Sequence, residues 1–249
     1  MTQRDDLLTL CRTLGEPSRD LVLSAEGNVS MRMGEQSMTI KASGSTLETL
    51  RDEELVDVHI PTILTLLEGM PTDEVTKSTY REALISPTDK MPSVEAILHA
   101  VLYDITSTQV IAHTHPVVVN MLTCSVSPHL LVQGALFPDA IVMLGRRQLL
   151  IPYTDPGVPL AKAVRDGVRT FMHEEGFAPK VIYLANHGLF VLAESPGSAL
   201  QITEMVVKNA RILHGTLAAG GPAFLPSDQV DRIDRRPDEA YRRNVLKIE

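Results

Sequence analysis

Two histidines stand two residues apart in this sequence, in the segment His113-Thr114-His115. The apolar residues around them predict a buried strand over 109–115, and side chains two positions apart on a strand point to the same side of a sheet. Two imidazoles placed in this way can bind one metal ion, and neutral imidazole suits zinc and other late divalent metals. The spacing alone also fits a pair of surface or hydrogen-bonded histidines, so the hypothesis requires a third ligand.

His187 is the candidate for that third ligand. It stands in Asn186-His187-Gly188, between two apolar segments that predict strands over 181–185 and 189–193. A glycine turn lets backbone and side chain come close to a ligand, and a histidine buried between strands without a partner would be unfavourable. The alternative is a core histidine that is bonded to a backbone carbonyl.

Glu95 is the candidate proton carrier. The sequence Pro92-Ser93 predicts the start of a helix, and Glu95 falls in its first turn, where its carboxylate can face the same cavity as the metal. Two ordinary explanations remain open. An acid in the first turn is favoured by the helix dipole, and Glu95 can also contact His99 one turn later.

Two glycine turns flank a predicted β-hairpin and could hold an anion. They cover residues 26–30 and 41–45, and glycines in such turns let the backbone approach an oxyanion closely. Hydroxyl, amide and ammonium groups in and near the turns can donate hydrogen bonds to it. A pair of ordinary β-turns is the alternative. The candidate substrate-binding residues are Gly27, Asn28, Lys41, Ser43, Gly44 and Ser93.

The elements that must position these residues alternate between strands and helices. The sequence predicts helices over 7–14, 61–68, 92–105, 158–171 and 196–217, another that begins at Pro116, a hairpin with strands 28–33 and 37–41, and a strand over 55–60. The alternation favours the α/β class, with a central mixed sheet that helices cover. We therefore expect one domain over residues 1–220, to which a tail or helix over 221–249 belongs.

Composition limits the classes of partner. The chain has 249 residues, of which 44% are apolar and 22% charged, as is typical of globular proteins. Its net charge of −8 gives no reason to expect binding to nucleic acid or to an anionic membrane surface. Cys11 and Cys124 form no metal-spaced or redox pair, and no apolar stretch reaches the ~20 residues that span a bilayer. These features predict a cytoplasmic protein.

In their order along the chain, the motifs resemble the class II aldolase/adducin family, in its metal-dependent sugar-phosphate aldolase branch, from about residue 5 to 217. This resemblance implies a single α/β/α domain, usually a homotetramer with active sites at subunit interfaces. It further implies one divalent metal per subunit, zinc before manganese, cobalt or iron, on His113, His115 and His187. The motifs are Gly27-Asn28-Val29-Ser30, Ser43-Gly44, Pro92-Ser93-Val94-Glu95, His113-Thr114-His115-Pro116 and Asn186-His187-Gly188.

The resemblance also implies a reaction. A ketose 1-phosphate would be cleaved to dihydroxyacetone phosphate and an aldehyde through a metal-stabilised enediolate, with Glu95 as the acid/base group and the two glycine turns and Ser93 as the phosphate pocket. A partly apolar pocket would raise the pKa of Glu95. The family also contains dehydratases, decarboxylases and epimerases of sugar phosphates or oxo-acids, and the non-catalytic adducins. Glu95 favours the dehydratases and decarboxylases over the epimerases, which usually have Asp at this position. The set of three histidines argues against an adducin-like domain.

Three departures from the family pattern bear on the substrate. Lys41-Ala42-Ser43-Gly44 stands where many of these aldolases have Thr-Pro-Ser/Thr-Gly, and Val94 replaces a common second serine. Lys41 can replace lost hydroxyl contacts or pair with a substrate carboxylate, so phosphate and carboxylate anchors both remain open. The tyrosine that some members contribute from a neighbouring subunit has no match in residues 134–138, and Tyr241 is a possible substitute.

Overall fold

The computed structural model describes residues 2–246, whose seven strands form one sheet. The strands are β1 (Asn28–Gly34), β2 (Ser37–Lys41), β3 (Leu55–His59), β4 (Val110–Thr114), β5 (Leu149–Ile151), β6 (Val181–Leu184) and β7 (Gly188–Ala193). Their order across the sheet is β3-β2-β1-β4-β7-β6-β5. Only β5 and β6 run parallel to each other, so the sheet is mixed, as predicted.

Helices cover both faces of the sheet. They are α1 (Gln3–Leu14), α2 (Ile60–Leu64), α3 (Asp73–Glu82), α4 (Ala96–Ile105), α5 (Val117–Thr123), α6 (Pro138–Leu144), α7 (Val158–Glu175), α8 (Pro196–Ala218), α9 (Ser227–Asp234) and α10 (Pro237–Leu246). One core lies between the sheet and α1, α5, α6, α8 and α9, and the other lies between the sheet and α2, α3, α4 and α7. The α/β/α architecture in one domain is therefore confirmed.

Alternation along the central strands decides which side chains enter each core. On β4, Val110 and Ala112 face the core that contains α8, whereas Ile111 faces the core that contains α4. By the same alternation, Val29 and Met31 of β1 face the α8 side. The polar residues between and beside them therefore face α4, and this places the candidate site on the α4 side of the sheet.

The middle of the chain differs from the prediction at two helices. The helix expected at Pro92 begins at Ala96, because Pro92 pairs with Ala42 in an isolated β-bridge and the backbone N–H of Ser93 donates to Lys41 O at 3.0 Å. Helix α3 was not expected from the sequence. Of its residues only Thr79 and Tyr80 are buried, so it shows little of the apolar periodicity that reveals a helix.

The segment predicted as a tail or helix contains two helices, α9 and α10. Val230 and Ile233 of α9 are buried in the core on the α8 side. The domain boundary at residue 220 stays a prediction, and residues 247–249 lie outside the described part of the chain. No helix among residues 2–246 is both long and apolar enough to cross a bilayer.

Candidate metal centre

His113 and His115 enter the site from the end of β4. In the sheet register His113 lies between Asn28 of β1 and Phe190 of β7, and its ring stacks on the Phe190 ring at a centroid distance of 4.3 Å. His115 follows the strand, and its backbone N–H donates to Leu21 O at 2.8 Å. The two rings lie on the same side of the sheet, with centroids 4.7 Å apart.

His187 reaches the same place from the tight turn between β6 and β7. Asn186 has a left-handed backbone conformation with φ 57°, and the amide of Asn120 on α5 donates to His187 O at 2.9 Å. Gly188 follows directly. A Cβ at Gly188 would lie 2.6 Å from Thr114 O and 2.7 Å from His115 Cδ2, so only glycine lets this turn pack against His115.

The three histidines converge. One ring nitrogen from each lies within 4.8 Å of the others, and the Nε2 atoms of His113 and His115 are 2.8 Å apart. Nδ1 of His113 donates to Leu189 O at 2.9 Å, which leaves the lone pair of Nε2 free for a metal. Burial, together with the neighbouring rings, lowers the pKa of His115 to about 3, so this ring is neutral at pH 7. Three convergent imidazoles fit a divalent metal that prefers nitrogen ligands.

Glu95 completes the centre from the start of α4. It occupies the N-cap position, yet its side chain does not cap the helix. The hydroxyl of Tyr80 accepts the Ile97 N–H at 3.2 Å and donates to Val94 O at 2.9 Å, so the first turn is satisfied without the carboxylate. That carboxylate lies among the histidines instead, with Oε2 3.2 Å from His113 Nε2 and Oε1 3.2 Å from His187 Nε2.

The expected rise in the pKa of Glu95 was wrong. Burial does raise the pKa, but the adjacent His113 and His187 rings lower it by more, and the pKa lies well below its usual range. An apolar pocket was a reasonable expectation from the residues around Glu95 in the sequence. The two rings come from β4 and from the β6–β7 turn, and sequence alone does not show how closely they approach the carboxylate.

The first glycine turn packs directly beneath the metal centre. Gly27 has φ 66°, and a Cβ there would lie 2.6 Å from Val22 Cγ1 and 2.8 Å from His113 O. Asn28 follows, 2% exposed, and its amide donates to Glu95 Oε2 at 2.7 Å. Asn28 therefore contacts the candidate acid/base group.

The second glycine turn is more open. Gly44 has φ 80°, a Cβ added there would meet no atom within 4 Å, and Ser43 is exposed. The Ser43 N–H donates to Met91 O at 2.8 Å, which joins this turn to the segment that carries Ser93. Ser93 itself is 4% exposed, and its Oγ accepts the Glu95 N–H at 3.3 Å.

Lys41 lies between the two turns rather than at the surface. It is 2% exposed, and its ammonium donates to Ala25 O at 2.9 Å and to Ser45 O at 2.6 Å. Burial lowers its pKa from the usual value. The side chain thus links one turn to the other, while direct contact with a substrate anion stays a prediction. Tyr241 is 71% exposed on α10, and a role for it also stays a prediction.

Sequence reasoning did not identify Tyr80 or the buried polar residues Ser30 and Tyr103 as part of this region. Ser30 alternates with Val29 and Met31 on β1, so a polar side chain facing into a core was a usable signal. Glu95, His99 and Tyr103 stand four residues apart on one helix face. His99 was considered only as a direct partner of Glu95, and the structure places Asn28 between them. No comparable signal pointed to Tyr80.

An α/β/α domain in which three histidines and a carboxylate converge belongs to the class of proteins with a candidate metal site at the end of a sheet. The model of one family, described as the Class II Aldolase and Adducin N-terminal domain, matches residues 5–214. The chain therefore belongs to the class II aldolase and adducin family.

Two relatives match by sequence. The "Uncharacterized oxidoreductase YuxG" of Bacillus subtilis is 25% identical over 194 residues, which cover 74% of this chain and 26% of that protein. The chain thus spans about a quarter of the length of YuxG. The 3-oxo-tetronate 4-phosphate decarboxylase of Haemophilus influenzae is 24% identical over 239 residues, or 95% of this chain and 98% of that protein.

Solved structures share the fold. An L-fuculose 1-phosphate aldolase superposes with a TM-score of 0.71 at 21% identity, covering 93% of this chain and 94% of that chain. YgbL from Klebsiella pneumoniae, described as a putative aldolase/epimerase/decarboxylase, also has a TM-score of 0.71, at 22% identity over 93% of this chain and 97% of that chain. At these identities the likeness shows the fold alone.

Proposed function

We propose that this chain is a metal-dependent carbon–carbon lyase, and that its substrate is a ketose 1-phosphate or a similar sugar phosphate. The observation that carries the proposal is the position of Glu95, whose two carboxylate oxygens each lie 3.2 Å from a ring nitrogen of a candidate metal ligand. A proton carrier at this position is adjacent to any substrate atom that the metal holds. His113, His115 and His187 are the proposed ligands.

When bound, a divalent cation of this kind, with zinc the first choice, supplies the positive charge that stabilises the enediolate left after cleavage. In cleavage, Glu95 would take up the proton of the hydroxyl group that becomes the aldehyde carbonyl and would give it to the carbon where the bond breaks. Asn28 donates to one oxygen of Glu95 at 2.7 Å and so fixes the direction from which the carboxylate approaches. The Leu189 carbonyl holds His113 in the tautomer that presents Nε2.

The substrate anion is proposed to bind at the two glycine turns. Ser43 and Gly44 are exposed and can offer a hydroxyl and backbone N–H groups, while Gly27, Asn28 and Ser93 close the inner side. Lys41 adds positive charge behind both turns, at an ammonium group that no carboxylate within residues 2–246 pairs with at 4 Å or less. We propose a homo-oligomer, a tetramer by the family resemblance, in the cytoplasm.

Decarboxylation of an oxo-acid phosphate is the second candidate function. It is favoured by the match to the Haemophilus influenzae decarboxylase, which covers nearly the whole of both chains. Both reactions break a carbon–carbon bond and leave negative charge that a metal can stabilise, so the same centre can serve either.

One assay distinguishes the two. The zinc-loaded protein is incubated with a set of ketose 1-phosphates and, separately, with 3-oxo-tetronate 4-phosphates that carry ¹³C in the carboxylate. Dihydroxyacetone phosphate is detected by coupled reduction and ¹³CO₂ by NMR. Dihydroxyacetone phosphate that is formed from a ketose 1-phosphate and disappears on chelation of the metal supports the aldolase. ¹³CO₂ released from the oxo-acid supports the decarboxylase, because that reaction also leaves dihydroxyacetone phosphate and only the CO₂ is specific to it. If the metal-loaded protein forms neither product, the proposal is contradicted.

A further inference from the structure

A continuous chain of buried polar side chains runs from Glu95 into the core between β1 and α4. We call it the polar chain, and it consists of Glu95, Asn28, His99, Ser30 and Tyr103. The Asn28 amide donates to Glu95 Oε2 at 2.7 Å, and its Oδ1 is hydrogen-bonded to His99 Nε2. His99 Nδ1 lies 2.7 Å from Ser30 Oγ, which in turn lies 2.9 Å from the Tyr103 hydroxyl.

The polar chain is sealed from solvent below Glu95. His99 and Ser30 are 0% exposed, and Asn28 and Tyr103 are 2% exposed. The His99 ring also packs edge-on against Phe190, with centroids 5.4 Å apart. Buried polar groups without partners are costly, so each member needs a donor or an acceptor close by.

The contact with Glu95 sets the direction of the hydrogen bonds from Asn28 to Ser30. At the far end, the Tyr103 hydroxyl lies 2.9 Å from Ser30 Oγ and 3.3 Å from Gln109 O. A carboxylate only accepts, so the Asn28 NH₂ must face Glu95 and Asn28 Oδ1 must face His99. His99 must then carry its proton on Nε2 and accept the Ser30 hydroxyl at Nδ1. Burial lowers the pKa of His99 to about 3, so the ring holds a single proton at pH 7.

This direction prevents the Asn28 amide from turning over. A flipped amide would place its Oδ1 against the Glu95 carboxylate and its NH₂ against the Nε2–H of His99. Both contacts would then be repulsive, two acceptors on one side and two donors on the other. Without the donor at His99, only the contact with Glu95 would oppose the flip, and Asn28 would hold the carboxylate less firmly.

We propose that His99 is a positioning residue, which in its Nε2–H tautomer locks the Asn28 amide and thereby aims the Glu95 carboxylate at the reacting carbon. This inference rests on the proposed acid/base role of Glu95 and deepens it. Within the described residues, the hydrogen bonds of His99 reach the site only through Asn28. Its ring also contacts Phe190, which stacks on His113, so zinc content has to be measured in each variant.

The first test reads the tautomer directly. Long-range ¹H–¹⁵N NMR of zinc-loaded wild-type protein, with His99 assigned through the spectrum of a His99→Gln variant, shows which ring nitrogen carries the proton. We expect Nε2–H at pH 7. A proton on Nδ1 would overturn the proposal, and this outcome does not depend on which substrate the protein acts on.

The second test measures the proton transfer itself. Dihydroxyacetone phosphate is placed in D₂O with zinc-loaded protein, and deuterium uptake at its hydroxymethyl carbon is followed by NMR. We expect His99→Leu to lower the exchange rate constant about 10–100-fold, the range found when the partner of a site residue is removed, with an unchanged KM and full zinc content. His99→Gln, which can still donate to Asn28, should recover part of the loss.

Control variants separate positioning from packing. Tyr183→Phe removes another fully buried hydroxyl, one without a hydrogen-bond partner, from the opposite face of the sheet and should leave the exchange rate unchanged. An exchange rate for His99→Leu within twofold of wild type would overturn the proposal, as would a loss that follows zinc content or that His99→Gln fails to reduce. If the wild type exchanges no deuterium, the proposed aldolase function fails, and the tautomer still decides the role of His99.

Discussion

The histidine end and the glycine-turn end of the candidate site differ in how the fold holds them. At the histidine end, His113 Nδ1 is bonded to Leu189 O and the Glu95 carboxylate is bonded to the buried Asn28 amide. At the other end, Ser43 and Gly44 are exposed, and the space beside Gly44 is open. The first end is built on strands, the tight turn between β6 and β7 and the start of a helix, and the second on an open turn.

This difference suggests that the histidine end carries out the proton transfer and that the glycine-turn end selects the substrate anion. A group that moves a proton must be held close to its productive geometry, and strands packed in a core provide that rigidity. A turn at the surface can change in sequence and in shape without disturbing the core. Substitutions at the histidine end should therefore change metal content and turnover, and those at the turn end should change the KM for the anion.

The largest effect is expected from the removal of a ligand. His115→Ala leaves two imidazoles, and the zinc Kd should rise by more than the 10–100-fold that follows loss of a supporting residue. Cleavage activity should be lost with the metal. Equilibrium dialysis followed by metal analysis measures both stoichiometry and affinity, and a variant that retains one tight zinc per subunit would refute the ligand assignment.

The next effect concerns the proton carrier. Glu95→Gln keeps the size of the side chain but removes its basicity, and kcat should fall about 10²–10⁴-fold, the typical contribution of a general acid/base. Zinc should remain bound, as metal analysis would show. Glu175→Gln is the matched control, because its side chain is 18% exposed against 17% for Glu95 and it pairs with Arg146 and Arg147 rather than with a histidine. Equal losses in both variants would argue against a special role for Glu95.

A smaller and different effect is expected at the turn end. Gly44→Ala forces a side chain into a left-handed backbone conformation at φ 80°, which costs about 1–2 kcal/mol and displaces the turn. The KM for an anionic substrate should rise while zinc content stays constant. Gly176→Ala provides the comparison, because Gly176 has φ 79° and equally open surroundings at the end of α7. If both variants raise KM alike, the turn does not bind the anion.

Acid should destabilise the metal-free protein in a defined range. The pKa values of His99 and His115 are about 3 when folded, against 6.5 for the unfolded chain, so the unfolded state binds more protons between these values. The free energy of unfolding should then decrease as pH falls from about 6.5 towards 3. Urea denaturation measures the free energy of unfolding at each pH. In His99→Gln this free energy should fall less steeply with pH, by a slope equivalent to about one bound proton, and an unchanged slope would contradict the burial of a neutral His99.

Much of the framework was predictable because it depends on local patterns. The hairpin of β1 and β2 follows from apolar alternation around a glycine, and His113 and His115 share a face because strands alternate with a period of two. The ordered motifs were specific enough to indicate the family. Helix α3 was not predicted because few of its residues are buried, and its apolar pattern is therefore weak. The start of α4 was predicted too early because the β-bridge from Pro92 to Ala42 is a tertiary contact.

The unpredicted parts of the site all depend on register between distant segments. The pairing of Asn28 with His113 places the amide beside Glu95, and nothing local to either strand reveals it. The same applies to Lys41, whose charge suggested contact with a substrate anion. Its ammonium group is bonded to backbone carbonyls of both turns. Residue type indicated the chemistry, and the tertiary structure decided which atoms meet.

The most direct test of the metal centre is a crystal structure of the zinc-loaded protein, with the metal located by anomalous scattering. We expect one zinc ion per chain, within about 2.0–2.2 Å of a ring nitrogen from each of His113, His115 and His187. Zinc bound elsewhere, or held by fewer than these three histidines, would contradict the account.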